Sequence, residues 1–268
     1  MSDDRPIGVF DSGVGGLTVL QALHREMPQE STIYLGDIAR CPYGVRPQAE
    51  VREFAVSIAD MLIESGVKML VVACNTATAA AYDVLVRRYD VPVVGVIQPA
   101  VDRALLTGAG SCIGVVATQG TVSSAAYVRA IVARNPTAKV VQRSASWLVP
   151  LIERGAVSRR QVVEQLCPML GEMHDEGIES LILGCTHFPL IRDIFADEVG
   201  VGVHIIDSAA TTAHHVKMLM SERVERAERH PTHRLLVTGD ADAFAERTRA
   251  MFHASPAVEI VSLRAGVA

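Results

Sequence analysis

Lysine is scarce: three residues, Lys68, Lys139 and Lys217, within the 25 lysines and arginines of the 268-residue chain. Lys68 precedes a strand-like run, Lys139 begins another, and Lys217 falls in a helical stretch of the tail. None stands at the carboxyl end of a strand, where open α/β sheets place their ligands. A pyridoxal phosphate Schiff base therefore lacks a good anchor, and no cofactor is expected. Cysteine is sparse as well. Cys41, Cys74, Cys112, Cys167 and Cys185 are odd in number and form no C-x-x-C pair, which argues against a disulfide framework and against structural zinc. No H-E-x-x-H cluster is present, and the adjacent His214 and His215 fall on a predicted helix where neighbours diverge, so no metal is expected. No apolar run reaches the roughly 18–20 residues needed to span a bilayer. The start, MSDDRPIGVF, is acidic and runs directly into a strand, so no secretory leader is expected. The net charge of −5 comes without a basic patch, so nucleic acid is not expected as the main partner. The expected setting is the cytoplasm, with all five thiols free.

The chain is rich in apolar residues, 49% against 21% charged, enough for a large core. Residues 5–12 read as a strand, followed by Gly13, Gly15, Gly16 and a helical stretch, the opening of a doubly wound α/β domain. A strand at 32–36, an irregular loop at 37–47, a helix at 48–65 closed by Gly66, a strand ending at Cys74, a helix at 76–89 and a strand at 91–97 follow. The pattern then restarts. Residues 111–117, SCIGVVA, resemble 7–10, IGVF, and residues 178–187, IESLILGCTH, align with 67–76, VKMLVVACNT, at an offset of 111. Helices are predicted over 122–134 and 158–176, strands over 139–142 and 202–206, and a loop or short helix over 147–155. A repeat of this size means duplicated domains. The predicted fold is two pseudo-symmetric, flavodoxin-like α/β domains. The first comprises residues 1–97 plus 208–268, because the tail (helix 209–229, strand 235–238, helix 241–252, strand 258–263) is too small to stand alone. The second is 98–207.

SLILGCTHFPL (180–190) is the stretch around which the rest is arranged. Its short apolar run fits a strand buried on both faces, Gly184 permits a tight turn or a close approach, and Cys185 follows at the carboxyl end. The repeat sets Cys74 opposite it. Two thiols facing one substrate across an interdomain cleft suit racemisation or epimerisation by two bases, one removing a proton and the other returning one on the opposite face. A free thiol is mostly protonated near neutrality, so each needs help. Asp11, His187 and Glu153 are the candidate helpers. The alternative is a pair of core cysteines copied with their strand; a lone cysteine is by default a small buried hydrophobe, and Cys112 and Cys167 are read so. The 11–16 turn does not match the G-x-G-x-x-G dinucleotide spacing. It reads more simply as a set of amides which, with Ser12, bind a carboxylate at a helix start. Asn75, Thr76, Thr118, Thr121 and Thr186 supply neutral donors at equivalent points, or serve as helix caps.

Five stretches, IGVFDSGVGGLTV (7–19), YLGDIARCPYGVRP (34–47), VVACNTATA (71–79), GVVATQGTV (114–122) and LILGCTHFPL (181–190), resemble the cofactor-independent aspartate/glutamate racemase family, and within it the bacterial glutamate racemases. The resemblance spans roughly residues 7–210. It implies interconversion of L- and D-glutamate, supplying D-glutamate for peptidoglycan, with Cys74 deprotonating D-glutamate and Cys185 the L-enantiomer. Asp11 would assist Cys74, while Glu153 and His187 would assist Cys185. Substrate contacts would fall on Asp11, Ser12, Pro42, Tyr43, Gly44, Asn75, Thr76, Thr118, Thr121, Thr186 and His187. A homodimer is implied, and the N-terminal extension with which some members bind a cell-wall precursor is not expected here. Two readings stay open beside it: a related racemase of aspartate or hydantoin-type substrates, and a non-catalytic amino-acid-binding or regulatory protein on the same scaffold.

Overall fold

The computed structural model describes residues 3–107, 111–155, 158–222, 230–252 and 257–263. Short apolar runs become parallel strands buried on both faces, and the polar-faced stretches between them become the crossover helices. In chain order the elements are β1 (Ile7–Asp11), α1 (Leu17–Glu26), β2 (Thr32–Gly36), α2 (Gln48–Glu64), β3 (Met69–Val72), α3 (Asn75–Arg88), β4 (Val93–Gly95) and α4 (Ile97–Leu106). There follow β5 (Cys112–Ala117), α5 (Gln119–Ser123), α6 (Ala126–Val132), β6 (Lys139–Ser144), α7 (Leu148–Glu153), α8 (Arg159–Asp175), β7 (Ser180–Gly184), α9 (Arg192–Glu198) and β8 (His204–Asp207). The chain ends in α10 (Ser208–Glu222), β9 (His233–Val237), α11 (Ala241–Phe252) and β10 (Val258–Ile260).

The strands form two all-parallel sheets, ordered β10-β9-β2-β1-β3-β4 and β6-β5-β7-β8. The 2-1-3-4 order of the first sheet recurs in the second, so β1 corresponds to β5 and β3 to β7. Each unit is flavodoxin-like, and each has its switch point between its first and third strands, where such sheets bind ligands. In the first sheet neighbouring residues serve opposite faces. Val9 and Val71 pack with α1 and α10, whereas Phe10 and Val72 pack with α2 and α3. The second sheet is sandwiched the same way. Val116, Leu181 and Leu183 meet Leu166 and Leu170 of α8, while Val115 and Ile182 meet α4 and Tyr127 of α6. Each such side chain contributes roughly 1.5–3 kcal/mol when fully buried.

Several expectations need correction. Cys167 is exposed on α8 rather than buried, while Cys112 is buried as expected. The single helix predicted over 122–134 is two, α5 and α6, broken at Ala125, whose φ is 54°. Gly184 supplies no turn: it ends β7, and a Cβ there would meet Ala117 Cβ at 3.0 Å and the Tyr127 ring at 3.1 Å. The final strand is short, Val258–Ile260, and the part of the predicted tail helix over 223–229 lies outside the described residues. The lysines are accounted for structurally. Lys68 and Glu30 form a buried ion pair at 2.6 Å, Lys139 pairs with Glu176, and Lys217 pairs with Glu26. Among the described residues no helix is long and apolar enough to cross a membrane.

Candidate active site

The two switch points face a shared cavity of about 240 Å³. This is smaller than the ~300–1,000 Å³ typical of drug-sized ligands and suits a small metabolite. Cys74 follows β3 and Cys185 follows β7, and both line the cavity. Ser12, Pro42, Tyr43, Gly44, Asn75, Thr76, Thr118, Glu153, Thr186 and His187 line it too. Two expected contacts do not. Asp11 and Thr121 are fully buried behind the wall and reach it through neighbours.

Asp11 shows why. It ends β1, and its Oδ2 accepts hydrogen bonds from the Gly13 and Gly16 amides at 3.1 and 2.9 Å. The glycine turn thus binds a carboxylate, as read from the sequence, but the carboxylate is the protein's own. Gly16 must be glycine, since a Cβ there would stand 2.4 Å from Asp11 Cβ. Asp11 Oδ1 accepts from Thr186 Oγ1 at 3.5 Å, so the aspartate supports the opposite wall. Gly15 of the same turn lies beneath His187 and Thr186, where a Cβ would approach both within 2.5 Å.

Cys74 is also the N-cap of α3, its sulfur accepting from the Ala77 amide at 3.5 Å and lying 3.8 Å from Ser12 Oγ. Burial pushes its thiol well above the usual value and the Asp11 charge adds to this; the Ala77 amide and Ser12 pull the other way. Cys185 keeps other company. Its Sγ lies 3.7 Å from His187 Nδ1, and His187 Nε2 lies 3.0 Å from Glu153 Oε1. Burial alone lowers a histidine, but the bonds to Cys185 and Glu153 outweigh it and push His187 up to about 10. The imidazole is therefore a cation near neutrality. Burial likewise favours the neutral Glu153, but the His187 bond wins and holds the carboxyl below its usual range. Glu153, expected on a loop or short helix, is the last residue of the short helix α7, one helical turn after Val149 of the same wall.

Neutral donors stitch the two units together around these thiols. Thr76, Thr118 and Thr121 form a hydroxyl triangle at 2.9, 3.3 and 3.0 Å, and Thr118 also caps α5. Thr18 Oγ1 donates to the Thr186 carbonyl at 3.0 Å, and Gln48 Nε2 to the Gly120 carbonyl at 2.9 Å. Gly44 packs against Thr118, where a Cβ would come within 2.8 Å. Pro42 and Tyr43 bring that loop over the cavity, and Tyr43 is fixed by its hydroxyl on Asp37. Sequence reasoning missed Cys41, Val45, Ser146, Val149 and Pro150 as lining residues. Cys41 had a usable signal, its place directly before Pro42-Tyr43-Gly44. The others carry no chemistry that would mark them. Cys41 donates to Glu153 Oε1 at 3.9 Å, and burial, with the Glu153 charge, pushes its thiol up and keeps it protonated. Among the described residues no group of histidine, cysteine and acidic side chains is arranged to hold a metal ion.

This chain of two doubly wound units belongs to the Asp/Glu/Hydantoin racemase family, whose model it matches over residues 7–216. Within that family it is 40% identical over 258 residues to the glutamate racemase of Oceanobacillus iheyensis, covering 94% of this chain and 93% of the relative. Its fold is similar to that of a glutamate racemase isoform of Bacillus anthracis, with a TM-score of 0.91, 36% identity and coverage of 97% and 98% of the two chains. It is also similar to a glutamate racemase of Francisella tularensis solved with D-glutamate, at a TM-score of 0.87 and 35% identity over 97% and 98% of the chains.

Proposed function

We propose that this protein interconverts L- and D-glutamate by a two-thiol route that needs no added cofactor. One observation carries the reading: Cys74 and Cys185 leave equivalent strands of the two units and line one cavity. The Cys185 thiolate takes the Cα proton of L-glutamate, the electron pair left on Cα spreads into the adjacent carboxylate, and the Cys74 thiol returns a proton to the opposite face. The product is D-glutamate, with the two sulfurs exchanged in protonation. The reverse reaction starts from the Cys74 thiolate and D-glutamate. His187, held by Glu153, stabilises the thiolate at Cys185. Ser12, the Ala77 amide and the start of α3 do so at Cys74. Asp11 acts from behind the wall, setting the glycine turn and Thr186. Ser12, Pro42, Tyr43, Gly44, Asn75, Thr76, Thr118, Thr186 and His187 contact substrate, and Thr121 holds the hydroxyl triangle.

Residues 1–97 and 208–268 form one domain and 98–207 the other. β9 pairing with β2 and α10 packing on α1 support this division. The D-glutamate is used for peptidoglycan, and the protein works as a homodimer in the cytoplasm, a reducing setting that keeps both thiols active. The test is L-glutamate in D2O without cofactor: optical rotation decays while deuterium enters Cα. Retained rotation, or a requirement for pyridoxal phosphate, overturns the reading.

A further inference from the structure

Asn75 lines the cavity and is only 2% exposed, yet its Nδ2 has no hydrogen-bond partner. A buried donor left unmade is costly, so a functional reason is called for. The other end of the same amide is taken: Tyr127 OH donates to Asn75 Oδ1 at 2.7 Å. Asn75 opens α3 of the first unit, whereas Tyr127 comes from α6 of the second. We infer that Tyr127 is a positioning residue whose phenol fixes the Asn75 amide across the domain boundary, leaving Nδ2 as the donor for a substrate carboxylate. The inference rests on the reading of this cavity as a glutamate site.

Chemistry at both ends supports it. An ionised carboxylate only accepts hydrogen bonds, so it needs Nδ2 and is repelled by Oδ1. The reverse orientation would turn Nδ2 to the phenol oxygen and offer lone pairs to the substrate. Tyr127 opposes that: its buried hydroxyl proton is placed on Asn75 Oδ1 and would lose this acceptor if the amide turned, and burial keeps the phenol protonated by raising its ionisation well above the usual value. The ring itself is held. It is fully buried among Ile113, Ile131 and Ile182, and the absent side chain of Gly184 makes room for its edge. Gly184 immediately precedes Cys185, so the residue that sets the second thiol's strand end also seats the tyrosine that orients the first unit's amide.

The test is calorimetric titration of D-glutamate into the wild type, Tyr127→Phe, Asn75→Ala and the double variant, with Cα–H exchange in D2O run in parallel. Tyr127→Phe keeps the ring and removes only the hydroxyl. It is expected to weaken binding on the order of 3- to 10-fold, the scale of one hydrogen bond. In the Asn75→Ala background the same change is expected to cost less than about 2-fold, because the partner through which it acts is gone. Unchanged binding in Tyr127→Phe, or an equal loss in both backgrounds, overturns the inference. A measurement that needs no variant is the Asn75 side-chain amide NMR signal of the wild type: it shifts when D-glutamate is added, and an unmoved signal again overturns the inference. The two readings separate cleanly. Binding that follows this pattern without Cα exchange sinks the racemase reading and leaves the role of Tyr127 standing. Exchange with binding indifferent to Tyr127 does the reverse, and a wild type that takes up no D-glutamate sinks both.

Discussion

The two thiols occupy equivalent places in a duplicated fold and sit among different neighbours. Around Cys74 the helpers are neutral, a serine hydroxyl and a backbone amide, and the Asp11 charge opposes thiolate formation. Around Cys185 stands a buried imidazole held cationic by its bonds to Cys185 and Glu153. Duplication thus copied the position of the sulfur but not its electrostatics.

The largest expected effect comes from removing either sulfur. Cys74→Ser and Cys185→Ser are each expected to lower kcat on the order of 10⁴-fold or to the detection limit, followed by polarimetry. Full activity in either variant refutes its role. Next comes His187→Asn, expected to lower kcat/KM about 10²-fold. The loss must be equal in both directions, because enantiomers are equal in free energy. The asymmetry appears instead in the isotope effect from a Cα deuteron. With the proposed assignment, Cys185 to the L-enantiomer and Cys74 to the D-enantiomer, it is expected to rise for L-glutamate and to fall for D-glutamate. The opposite change would exchange the two assignments.

Stability offers a third way to separate the halves. His187 in the folded chain lies at about 10 against an ordinary value of 6.5. Its contribution is therefore fully present below about 6.5 and is lost as pH rises through about 10. Urea midpoints of wild type and His187→Asn should differ most at the acidic end of that window and converge at the alkaline end. A gap that widens with pH contradicts the ion pair. The smallest effect is expected from Cys41→Ala. Its thiol touches Glu153 at 3.9 Å, so its loss should cost only about 2- to 5-fold in kcat. A loss as large as that of Glu153→Gln would place Cys41 on a par with Glu153 itself.

Much of this was legible in the chain. The apolar runs before Cys74 and Cys185 exclude surface strands, and their offset of 111 residues announces the duplication. Gly66 and Gly177 mark helix ends, where both adopt positive φ. The least legible wall was α7. Nothing in LVPLIE distinguishes Glu153 from a surface glutamate; only its approach to His187 does. Cys167 reads like Cys112 because burial of a helical residue depends on which stripe of the helix meets the sheet. The resemblance implied that Asp11 touches substrate, whereas its carboxylate satisfies the turn that follows it.

Where the parallel strands end, that two such sets exist, and that each delivers one sulfur all follow from the order of the residues, because strand period, apolar runs and glycine turns are local properties. What each sulfur feels is set by packing. His187 and Glu153 are 34 positions apart within the second unit, and Tyr127 and Asn75 are 52 apart in different units, so their hydrogen bonds form only when distant stretches pack around one cavity. Electrostatic environment depends on distance through space and on exclusion of water, and neither is written in the order of the residues.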